Sequence, residues 1–138
     1  DNVIFTGFIS DQEKVALIKL SQAIVFPSYL RSEAFGMTLI EGAMMSTPLI
    51  STEVGTGTSH VNIDQDTGLV VSPGSVKELR ESMDFLYSHP QEAEQMGENA
   101  RRRYETYFTG DIIGKQYAEL YREVVPAAKS LVLEKPGW

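Results

Sequence analysis

The sequence predicts an α/β fold, a parallel sheet with helices on its faces. Short apolar runs of strand character alternate with longer stretches of helical period. Strand–helix alternation of that kind means parallel strands joined by crossovers. The run Ala23-Ile24-Val25-Phe26 is apolar throughout, the pattern of a strand covered on both faces.

The elements follow in order. Val3 to Thr6 reads as a strand. Ser10-Asp11-Gln12-Glu13 is a capping-box signature that opens a helix through about Leu20, with Val15, Leu17, Ile18 and Leu20 as its apolar stripe. Ala23 to Phe26 is the second strand, closed by Pro27-Ser28. Gly36 to Ser46 is a helix and Pro48 to Ser51 the next strand. Glu53 to Ser59 is a Gly/Thr loop, with a short helix at Ser59 to Ile63. Asp64 to Thr67 is a turn and Gly68 to Val71 a strand. Ser75-Val76-Lys77-Glu78 is a second capping box, opening a helix to about Ser88. Pro90 starts a further helix, Gln91 to Tyr107, whose inner face carries Ala93, Met96, Ala100 and Tyr104. A last helix runs from about Asp111 to Val125, and residues 126–138 form a tail without a clear pattern.

At 138 residues this is one domain's worth of chain, with ordinary apolar and charged content. No run approaches the roughly 18 apolar residues of a spanning helix. The net charge of −7 argues against a nucleic-acid footprint. The absence of cysteine excludes a disulfide framework and fits a reducing compartment. A start at Asp1 rather than Met reads as a fragment of something longer.

Two carboxylates stand out. Glu33 lies in the loop after the Ala23–Phe26 strand, and Glu41 lies about a turn and a half inside the helix that follows. The first N–H groups of that helix have no internal acceptor, and the helix dipole favours anions there. The second carboxylate sits about 7 Å along the helix axis. A phosphate suits the helix end, whereas the two carboxylates suit hydroxyl donors. Hydroxyls flanking a diphosphate describe a nucleotide sugar. In open α/β sheets ligands bind beyond the carboxyl ends of the strands. Phe8, Ser28 to Phe35 and Ser51 to Ser59 all follow strands, so they share that edge.

The stretch Glu33-Ala34-Phe35-Gly36-Met37-Thr38-Leu39-Ile40-Glu41 resembles the E-x7-E motif of retaining GT-B glycosyltransferases, in particular glycosyltransferase family 4 (group 1). Four more segments carry the resemblance in order: Val3 to Ile9, Ala23 to Ser28, Glu41 to Ile50 and Thr67 to Gly74. The resemblance implies a Rossmann-like, partial C-terminal domain of a GT-B fold. Residues 1–125 would be the nucleotide-sugar-binding domain, incomplete on its N-terminal side, and 126–138 its tail.

Roles follow by resemblance. Glu33 would bind donor-sugar hydroxyls near the anomeric centre, the catalytic position. The backbone around Phe35, Gly36 and Met37, with Thr38 and Leu39, would hold the diphosphate and sugar. Glu41 would bind the ribose hydroxyls, and Phe8 and Ile9 would lie near the base. The reaction would be metal-independent transfer of a sugar with retained anomeric configuration, and no cofactor is implied beyond the nucleotide-diphosphate sugar as donor. The acceptor would be a glycan or lipid-linked sugar, as in O-antigen-like surface polysaccharide synthesis. It would be bound through an N-terminal domain that this chain lacks, so the fragment alone is expected to be inactive. The location implied is cytoplasmic, with peripheral contact at the inner face of the membrane. A truncated sheet edge would also allow self-association.

Competing readings stand beside these. A non-catalytic nucleotide-binding relative, or a GT-B phosphorylase or epimerase, fits the same donor site. Gly55 and Gly57 are either turn glycines or ligand-facing ones. Asp64-Gln65-Asp66 spells a metal-binding D-x-D, but its place before Thr67-Gly68 favours a turn. Arg101-Arg102-Arg103 reads as intrahelical pairing with neighbouring glutamates, and His60 as structural.

Overall fold

The computed structural model describes residues 2–125. The order is α1 (Asp11–Leu20), β1 (Ile24–Phe26), α2 (Met37–Met44), β2 (Leu49–Thr52), α3 (Thr58–Val61), β3 (Gly68–Val71), α4 (Val76–Ser88), α5 (Pro90–Tyr107) and α6 (Gly110–Val124). The three strands form one parallel sheet in the order β1-β2-β3, with Val25 opposite Ile50 and Ile50 opposite Leu69. This is the α/β arrangement the sequence predicts.

Side-chain alternation along β2 divides the core in two. Leu49 faces Leu39, Ile40 and Ala43 of α2, with Val61 and Ala100. Ile50 faces Val71, Leu86 of α4, and Ala93 and Met96 of α5. The long helix α5 therefore serves both clusters, its N-terminal half on one and its C-terminal half on the other. Close approach sets two glycines. A Cβ on Gly97 of α5 would fall 2.1 Å from the Ser46 carbonyl oxygen, and one on Gly68 of β3 would fall 1.9 Å from the Leu49 carbonyl oxygen.

Several expectations need correction. Residues 3–6 form no strand; Val3, Ile4 and Phe5 are 69%, 87% and 93% exposed. Strand propensity records packing on a pleated surface, and this segment pairs with no strand of the described chain. The apolar stripe of α1 is mostly unused: Ile18 is buried, but Leu17 and Leu20 are exposed. The short helix begins one residue earlier, at Thr58, and α6 begins at Gly110. The first capping box forms in full, with Ser10 N–H donating to Glu13 at 2.8 Å and Glu13 N–H to Ser10 Oγ at 3.3 Å. The second forms by half. Ser75 Oγ accepts from Glu78 N–H, but the Glu78 carboxylate reaches past it to the Ser72 N–H at 2.7 Å. The tail at 126–138 lies outside the described residues.

Candidate donor site at the start of helix α2

Gly36 is the N-cap of α2, in the left-handed region at φ 79 and ψ 68. Glycine enters that region freely. Having no side chain, Gly36 cannot cap the helix, and Glu33 instead fastens the turn just ahead of it. Its Oε1 accepts from the Gly36 N–H at 3.0 Å and from the Phe35 N–H at 3.4 Å. Leu39 N–H turns back onto the Gly36 carbonyl at 2.9 Å. Met37 and Thr38, the first two helical residues, have N–H groups with no acceptor inside the helix. Both residues are exposed. Among the described residues the helix end thus presents free donors to solvent, beside a carboxylate that already holds two.

The loop after β2 closes on this end. Gly57 N–H donates to the Ala34 carbonyl at 2.9 Å. A Cβ on Gly57 would fall 2.6 Å from Phe35 Cδ2 and 2.7 Å from the Ala34 oxygen, so Gly57 is a contact glycine between the two loops. Gly55 is a turn glycine at φ 67, and its carbonyl accepts from Arg31 Nη2 at 3.2 Å. Glu53 fastens the turn by accepting from Gly55 N–H at 2.8 Å and from Ser59 Oγ at 3.3 Å. Thr52 Oγ1 donates to the Ser28 carbonyl, joining the carboxyl ends of β1 and β2. A groove of about 410 Å³ runs along Pro27 to Leu30 to Glu33. A smaller one of about 170 Å³ lies on the other side of Tyr29, against Thr52, Val71 and Leu79.

The predicted residues fall into four groups. Glu33, Phe35, Gly36, Met37 and Thr38 gather at the start of α2. The Phe35 ring packs edge-on against Phe108, with centroids 5.9 Å apart. Leu39 is fully buried in the core, so its side chain faces no ligand. Glu41 is half-buried one turn further on, and its Oε1 accepts from Lys14 Nζ at 2.8 Å. Hydrogen bonding to Glu41, then to Asp11, raises the Lys14 pKa above its ordinary value. Phe8 is fully exposed and Ile9 half-buried on the segment ahead of α1, and neither joins a core cluster.

Sequence reasoning singled out none of Lys14, Arg31, Glu53 or Asn62. Asn62 is the buried polar hub of the fold: Nδ2 donates to Ser51 Oγ and the Leu69 carbonyl, and Oδ1 accepts from Thr67 Oγ1. Its fixed place shapes the descent from α3 to β3. The D-x-D residues are used locally. Asp64 Oδ1 accepts from Val70 N–H at 2.8 Å, and Asp66 accepts from Asn99 Nδ2. Among the described residues no cluster of three or more His, Cys, Asp or Glu could hold a metal ion. In the triple arginine, Arg101 pairs with Glu105 and donates to the Met44 carbonyl, and Arg103 donates to the His60 carbonyl. No described helix is long and apolar enough to cross a membrane.

The start of α2 thus carries exposed N–H donors, with the Glu33 carboxylate just before them and Glu41 one turn on. Residues 1–103 match the family described as "Glycosyl transferases group 1", and the chain belongs to that family. It is 56% identical over 108 residues to D-rhamnosyltransferase WbpZ of Pseudomonas aeruginosa, covering 78% of this chain and 28% of that protein. It is 48% identical over 120 residues to O-antigen chain mannosyltransferase C of Escherichia coli, covering 87% of this chain and 32% of that protein. A solved sucrose-phosphate synthase from Thermosynechococcus elongatus superposes with a TM-score of 0.82 at 30% identity, over 91% of this chain and 31% of that one. The chain spans less than a third of the length of each of the two curated relatives.

Proposed function

We propose that this chain is the donor-binding part, residues 1–125, of a retaining glycosyltransferase of family 4. The enzyme transfers a sugar from a nucleoside-diphosphate sugar to a glycan or lipid-linked acceptor in bacterial surface polysaccharide synthesis. The observation that carries the reading is the start of α2: unpaired Met37 and Thr38 N–H groups between the carboxylates of Glu33 and Glu41. The rhamnosyl and mannosyl activities named for the two relatives support a hexosyl donor, and the O-antigen named for one supports the acceptor class.

The chemistry follows from charge. As the bond from the anomeric carbon to the diphosphate breaks, the sugar becomes oxocarbenium-like and the leaving diphosphate gains negative charge. N–H groups fixed at a helix end stabilise that charge without reorganising, and the reaction so described needs no metal. The Glu33 carboxylate now holds the Gly36 and Phe35 N–H groups. On donor binding it exchanges them for sugar hydroxyls, leaving the N–H groups to the diphosphate. Glu41 accepts from the ribose hydroxyls. Leaving-group assistance by the diphosphate replaces a protein nucleophile. The acceptor is bound by a domain outside this chain, which alone has no turnover. The reaction takes place at the cytoplasmic face of the membrane, and the β1 edge, unpaired among the described residues, pairs copies of the isolated chain.

The complete enzyme, incubated with GDP-, UDP- and ADP-sugars, tests the reading through the anomeric NMR signal of the product. A retained configuration is expected. An inverted product, or donor binding with no transfer to any glycan acceptor, would contradict it.

A further inference from the structure

The Glu41 carboxylate is held from one side. Its Oε1 takes the 2.8 Å hydrogen bond from Lys14, which joins α1 to α2 across 27 residues of sequence. Lys14 Nζ also lies 3.4 Å from Asp11 Oδ1 on its own helix. Among the described residues, Oε2 of Glu41 has no donor. The pair adds little as glue: its side chains are 39% and 33% exposed, a range in which ion pairs contribute little to stability. The end of α1 is already fastened by buried Ile18 and by Thr47 Oγ1, which donates to the Ile18 carbonyl at 3.2 Å. What the pair does supply is orientation. An unrestrained glutamate loses rotamer entropy when it binds a ligand, and a carboxylate with one oxygen already pinned loses less.

We infer that Lys14 is a positioning residue. It pins Oε1 of Glu41 so that Oε2 meets the vicinal ribose hydroxyls of a bound nucleoside diphosphate. The inference rests on the proposed role of Glu41 as the ribose contact.

The test titrates the chain with GDP, UDP and ADP, and with the 2′,3′-dideoxy form of whichever binds. Wild type should favour the ribose form by about tenfold or more, the scale of a hydrogen bond to a charged acceptor. Lys14→Met should cut that preference to about twofold or less. Lys14→Arg, which keeps a cation in place, should restore most of it, and Asp11→Asn should leave it intact. Melting temperatures measured alongside separate orientation from folding. A Lys14→Met chain with a lowered melting temperature and the wild-type preference overturns the inference. If Glu41→Gln abolishes the preference and Lys14→Met does not, Glu41 remains the ribose contact and only the inference fails. If Glu41→Gln keeps the preference, or wild type binds none of the diphosphates, the ribose reading of Glu41 fails and takes the inference with it.

Discussion

Replacing Glu33 by alanine should destabilise the unliganded chain, although Glu33 lies in a loop and belongs to no core cluster. Its carboxylate holds the turn that leads into α2 by accepting from the Gly36 and Phe35 N–H groups; the N-cap position is Gly36, and the helix has no side-chain cap among the described residues. Gly36 is buried, so water does not readily replace the lost acceptor. A hydrogen bond to a charged group contributes about 1.5–3 kcal/mol, and the half-exposed carboxylate places Glu33→Ala at the lower end, about 1.5 kcal/mol. For a domain of this size 1 kcal/mol corresponds to about 4 °C, so the melting temperature should fall by about 6 °C. Glu33→Gln keeps an acceptor oxygen and should lose less than half of that. Thermal melts and urea titrations followed by circular dichroism read both variants. The alanine variant should also bind a nucleoside diphosphate lacking its sugar more tightly than wild type does, because the carboxylate no longer competes for the Gly36 N–H. A melting temperature within about 1 °C of wild type would refute this structural role of Glu33. Weaker binding of the bare diphosphate would refute the exchange of N–H groups between carboxylate and phosphate.

Three further outcomes follow from the packing and charge. Gly68→Ala should prevent stable folding or cost at least about 3 kcal/mol in urea, because its Cβ would fall 1.9 Å from the Leu49 carbonyl oxygen in the β2–β3 ladder. Asn62→Ala should cost about 2 kcal/mol by the same assay, since it strands Ser51 Oγ in the interior and takes a donor from the Leu69 carbonyl, while Thr67 Oγ1 keeps its bonds to Ile63. Hydrogen bonding from the Ser72 N–H lowers the Glu78 pKa below its ordinary 4.5. A carboxylate depressed on folding stabilises above its ordinary pKa and loses that contribution as pH falls through the lowered one. Wild type should therefore melt higher than Glu78→Gln at neutral pH, and the gap should close in acid; a gap that widens in acid would reverse the sign.

The sequence is most legible where local rules decide. Ser10 and Glu13 form the expected box because a cap needs only residues three apart. The apolar runs at β1, β2 and β3 become the expected parallel strands because their helices cover both faces. Val3-Ile4-Phe5 has the same local character and no partner strand in the described chain, so its propensity produces nothing. The candidate site shows the same division. The Glu33 loop and the Gly57 loop come together as expected of segments that follow adjacent parallel strands. Lys14 was not legible, because its bond to Glu41 spans 27 residues and depends on how α1 docks. Nor was the hold of Glu33 on the Phe35 and Gly36 N–H groups, because it depends on the left-handed turn at Gly36.

The central claim is that a nucleoside diphosphate binds at the start of α2. An amide-resolved NMR titration of the chain with GDP, UDP and ADP, with Glu41→Ala as the control, tests it most directly. The account predicts that one diphosphate shifts the Gly36, Met37 and Thr38 amides together and binds more weakly to the variant. Shifts centred elsewhere, or none at saturating nucleotide, would contradict it.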